Sequence, residues 1–80
     1  MENLLTLEEK VKIAKKTLET ELNNIKRNLP HQMTYEELGN HMDTIHELEK
    51  KGFRNLTELE TIKIHRILNA INTKLKLNLN

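Results

Sequence analysis

From Leu7 onward the apolar residues fall at Leu7, Val11, Ala14, Leu18, Leu22, Ile25 and Leu29, always three or four positions apart. On a wheel turning about 100° per residue they cover a strip only about 80° wide, which is one side of an α-helix. A segment patterned in this way gains stability by laying that strip against other apolar strips. Thr6 followed by Glu9 has the spacing of a capping box, and Pro30 stops the helix. The first helix is therefore expected over about residues 7–28.

The second start repeats the first. Thr34 and Glu37 form another capping-box pair, and Met33 and Leu38 have the spacing of a hydrophobic staple. Gly52 suits a left-handed residue closing the helix, with Phe53 reaching back to Leu48 as in a Schellman closure. This predicts a helix over about 35–51 with Tyr35, Leu38, Met42, Ile45 and Leu48 as its apolar stripe. A third helix, about 56–76, is capped by Asn55 or Thr57 with Glu58 or Glu60, and Ile64, Ile67, Leu68, Ile71 and Leu75 form its stripe. Its early acidic residues and late Lys74 and Lys76 match the helix dipole. The tail KLKLNLN reads as a fraying terminus. The loops around Pro30 and Gly52 are short, so successive helices become antiparallel neighbours. The chain reads as one all-α domain over 1–80: a three-helix bundle, or an antiparallel helical hairpin of the first and third helices with the second laid alongside.

At 80 residues a single core leaves much of the surface wet, and small domains are usually supplemented by disulfides, a metal or another subunit. There is no cysteine, which removes the first supplement, and self-association becomes the expectation. The net charge is only +1, but residues 31–52 carry two basic against five acidic residues, for −3, and residues 53–80 carry five against two, for +3. No apolar run approaches the roughly 18 residues of a membrane span, and the start MENLLTLEEK lacks the blocks of a signal peptide, so a cytoplasmic location with no membrane contact is expected. Ten Lys against three Arg, with ten Asn, fits A/T-rich codons and suggests a low-GC bacterium or one of its phages.

The stretch ELGNHMDTIHELEKKG concentrates the chemistry-bearing residues. His41 and His46 are five residues apart, about 140° on a helix, whereas ligands sharing an ion sit three or four apart. Glu37 with His41 has the right spacing but makes only two ligands, and His31 and His65 would have to converge from elsewhere. No metal and no other cofactor is expected. The chain has no Ser, no Cys nucleophile and no Gly-rich phosphate loop, since its glycines are Gly39 and Gly52, so a non-enzymatic role is expected. Gly39, inside the second helix, predicts either another helix crossing closely there, the favoured reading, or a docking groove.

TYEELGNHM, Thr34 to Met42, resembles the first half of a helix-turn-helix DNA-binding motif. Asp43 and Glu49 stand where its second half needs a turn glycine and an apolar anchor, so the resemblance stops after nine residues. KKGFRNLTELETIKIHRILNAI is similar in outline to the second half of the short helical-hairpin phosphatases that act on sporulation response regulators. TIKIH replaces their SQELD-type motif, and no residue role is carried over.

What is left points to binding. Leu59, Ile62 and Ala70 lie opposite the main stripe of the third helix, with Leu56 between the two faces. A helix apolar nearly all round is usually covered on both sides: either the first helix takes one side and the second the other within one chain, or the monomer covers one side and a second chain the other. Leu56, Leu59, Ile62, Arg66 and Ala70, joined by off-stripe Ile13, are the candidate interface to a partner protein, with a homodimer the commonest solution. A small regulator or inhibitor, phage- or plasmid-encoded, is the corresponding expectation. The alternative is a helical nucleic-acid-binding regulator using Lys63, Arg66 and Lys74 with Lys12, Lys15 and Lys16 as phosphate contacts. Those charges are interleaved with Glu8, Glu9 and Glu19, and Glu8 to Lys12 has the spacing of a helix ion pair.

Overall fold

The computed structural model describes residues 5–77. They form α1 (Leu7–Lys26), α2 (Tyr35–Lys51) and α3 (Glu58–Leu75), with a 3-10 turn at Phe53–Asn55 between the last two. Among the described residues there is no strand.

All three helices begin with the same reciprocal device. The hydroxyls of Thr6, Thr34 and Thr57 accept the N–H of Glu9, Glu37 and Glu60 at 3.1–3.2 Å. Each Glu carboxylate accepts the N–H of its Thr in return, at 2.9–3.1 Å. Two of the four N–H groups that a helix start leaves unpaired are thus satisfied. Thr57 with Glu60 is the pair used for α3, so that helix starts two residues later than expected.

The helix ends depart more from expectation. α1 is closed by Asn28 in the left-handed conformation (φ 58°), with Leu29 N–H bonding Asn24 C=O at 2.7 Å and Asn28 N–H bonding Ile25 C=O at 3.1 Å. This is a Schellman closure with Asn in the glycine position, and it ends the helix before Pro30 acts. Leu29 therefore leaves the stripe and is exposed. Gly52 has the expected positive φ of 92°, but its ψ of 131° lies outside the left-handed helical region. The chain turns instead into the 3-10 turn, where Asn55 N–H bonds Gly52 C=O and the Asn55 side chain bonds Lys51 C=O. At the far end Lys76 is left-handed (φ 53°) and Leu77 N–H bonds Asn72 C=O, so the tail read as fraying holds a formed closure through Leu77. Residues 78–80 of that tail lie outside the described residues.

Three ion pairs among the described residues fix the arrangement, and each joins two helices. Glu37 meets Lys74 at 3.1 Å and Lys51 meets Glu60 at 2.6 Å. Glu37 and Lys51 are 14 residues apart, as are Glu60 and Lys74, so α2 and α3 run antiparallel with both ends pinned. Lys15 meets Glu49 at 2.9 Å, and Glu21 on the last turns of α1 reaches the loop before α2, so α1 and α2 are antiparallel too. Glu8–Lys12 is not among the pairs. The result is an up-down-up three-helix bundle.

Its core is Val11, Ala14 and Leu18 from α1, Met33 from the loop, Leu38, Ile45 and Leu48 from α2, and Ile64, Leu68 and Ile71 from α3. Leu7, Leu22, Ile25, Met42, Phe53, Ile67 and Leu75 pack around it, part-buried. Tyr35, expected on the α2 stripe, is 66% exposed. It is the first residue of α2, at the rim of the bundle rather than in its core.

Candidate interaction surface

Helix α3 uses one side for the core and turns the other outward. Opposite Ile64, Leu68 and Ile71 lie Leu59, Ile62, Arg66 and Ala70, three or four residues apart and all exposed. Leu59 is 79% exposed and Ile62 43%. These two are not taken up between α1 and α2, the arrangement that would have hidden them inside one chain. Arg66 and its neighbour Lys63 make no ion pair among the described residues, so the stripe is apolar with free basic groups on it. Ile13 is 38% exposed on the outer side of α1. Leu56 belongs elsewhere: it precedes the helix and packs, part-buried, against the core.

The six basic residues of the alternative reading divide. Lys15 is held by Glu49 and Lys74 by Glu37, in bridges that tie helices together. Lys12, Lys16, Lys63 and Arg66 stay exposed on two different helices.

Gly39 is not crossed by another helix. A methyl group built at its Cα would meet nothing within 4 Å, so the favoured expectation of a close backbone approach is wrong. Gly39 instead opens a groove of about 190 Å³ between α1 and α2, floored by Leu18, Leu22, Leu38 and Met42 and flanked by Glu19 and Tyr35. A glycine within a helix costs roughly 0.5–1 kcal/mol relative to Ala. Here no steric demand offsets that cost.

Glu21 carries a role that pattern reading missed. It is 7% exposed, and its Oε1 accepts the N–H of Gln32 at 2.8 Å and of Met33 at 3.2 Å. A buried carboxylate is tolerated only where donors meet it, and these two lie on the loop that positions Met33 and the cap of α2. The available signal was a glutamate in register with Leu18, Leu22 and Ile25.

The titrating groups serve architecture. The Lys51 ammonium, with the Thr57 N–H behind it, pulls the Glu60 carboxyl down to about 2. Glu37 is lowered by the Thr34 N–H and then by Lys74. Burial lowers His41, outweighing the Glu37 charge that would raise it. Among the described residues no three His, Asp or Glu groups gather as metal ligands. No described helix is long and apolar enough to cross a membrane. Compared with protein-family models, characterised proteins and solved structures, the chain matches none.

Proposed function

We propose that this is a non-enzymatic helical interaction protein that binds protein, including copies of itself, through the outward stripe of α3, and that it regulates by covering a surface. The observation that carries this reading is Leu59, 79% exposed, next to Ile62 on the side of α3 that faces away from a filled core. A single exposed Leu is ordinary; two large aliphatic residues one turn apart, flanked by free Lys63 and Arg66, form an anchor of the helix-in-groove kind. Fully burying each side chain contributes roughly 1.5–3 kcal/mol, while a micromolar dissociation constant requires about 8 kcal/mol. Association through this stripe alone is therefore weak, and the partner's side sets its strength. Nucleic-acid binding has less support, because Lys15 and Lys74 are already engaged by carboxylates.

Light scattering over a concentration series tests this. The expected mass rises above that of one chain, and Ile62→Asp returns it to one chain with helicity unchanged. An Ile62→Asp protein that associates like the parent would remove the α3 stripe from the interface; one that loses its helicity would place Ile62 in the fold.

A further inference from the structure

We propose that the α3 stripe of one copy seats in the Gly39 groove of a second copy, so that the protein associates head to tail; this rests on the reading of α3 as a binding surface and names its occupant. The groove is smaller than the roughly 300–1,000 Å³ of small-molecule sites, and its floor is aliphatic, which suits inserted side chains better than a cofactor. Gly39 has no contact that requires a glycine, and what its missing side chain does is keep the slot open. Leu59 is the most exposed large apolar residue among those described, and Ile62 lies one turn further along α3.

Charge selects the same pairing. Glu19 is the charged residue lining the slot, and it has no ion pair among the described residues. Lys63 and Arg66 beside the knob have none either. The segment carrying Gly39, residues 31–52, is −3, and the segment carrying the knob, residues 53–80, is +3.

The geometry then sets the mode of assembly. The slot lies between α1 and α2, while the knob is on the far side of α3, across the bundle. The slot is also near the start of α2, beside the end of α3 as the Glu37–Lys74 bridge shows, whereas the knob is at the start of α3. Two rigid copies cannot satisfy both contacts reciprocally. A pair joined by one such contact keeps one free knob and one free slot, and growth is open-ended.

Two variants and their mixture test this, followed by sedimentation velocity with circular dichroism as the check on folding. Gly39→Leu fills the slot, and Leu59→Asp removes the knob. The parent is expected to grow past two chains with concentration, and each variant alone to stay a single chain. An equimolar mixture should form a one-to-one heterodimer, the knob of Gly39→Leu entering the slot of Leu59→Asp. Should Gly39→Leu lose helicity, Gly39→Gln replaces it as the slot-blocking variant. A folded slot-blocked variant that assembles like the parent would overturn the groove while leaving the α3 stripe as an interface. A Leu59→Asp protein that assembles like the parent would overturn the stripe itself. A mixture that stays monomeric, or a parent that stops at two chains, would overturn the head-to-tail pairing.

Discussion

Single side chains decide how this small bundle is held. Glu21 joins two backbone donors on one loop to the buried face of α1, and its removal strands the buried Met33 N–H while leaving the part-buried Gln32 N–H to water. Glu21→Ala is therefore expected to destabilise the fold by roughly 1–3 kcal/mol in urea unfolding, the cost of one orphaned buried donor. A change of a few tenths would mean that the loop repairs itself. Glu60 acts twice, as capping partner of Thr57 and as the seat of Lys51. Its carboxyl is held at about 2 against an ordinary 4.5, so its contribution is complete above about 4.5 and disappears as pH falls toward 2. Glu60→Gln should flatten acid-induced loss of stability across that window, and an unchanged acid profile would count against the bridge. His41 works in the neutral direction: burial holds its pKa below 6.5, so protonation costs stability as pH falls below 6.5. His41→Gln should remove that part of the pH dependence, which thermal melts between pH 5 and 8 would detect.

The helices themselves were largely legible in the sequence, because their signals are local. The Thr-x-x-Glu spacings at Thr6 and Thr34 placed the first two starts correctly, and the four-three periodicity found Val11, Ala14, Leu18, Ile45, Ile64, Leu68 and Ile71 in the core. The ends were less legible, because they depend on backbone conformations that several residue types adopt. Asn28, in the left-handed conformation, closes the helix whose stop the sequence assigns to Pro30, and Gly52 takes a positive φ with an extended ψ. The α2–α3 hairpin has a device that only spatial placement reveals: the closing lysine of each helix, Lys51 or Lys74, lands on the capping glutamate of the other. Gly39 was visible as an anomaly, but whether it served a crossing or a groove depended on what lay beside it. Because its Cβ would meet open space, Gly39→Ala should stabilise the monomer by roughly 0.5–1 kcal/mol. A loss of stability would reveal a contact made at that glycine.

As a whole, the molecule pairs a well-formed monomer core with an apolar stripe that the core does not use. The prospective interface was readable as a set of residues, since Leu59, Ile62 and Ala70 stand opposite the main stripe on any helical wheel. Leu56 was drawn into that set because its helical position was assumed, and it precedes the helix. The direct test is a dilution series followed by the methyl resonances of Leu59 and Ile62 in nuclear magnetic resonance, with Ile45 and Ile71 as buried references. The expected result is concentration-dependent shifts at Leu59 and Ile62 while Ile45 and Ile71 hold still. Resonances of Leu59 and Ile62 that stay fixed up to millimolar protein would contradict an interface on that face.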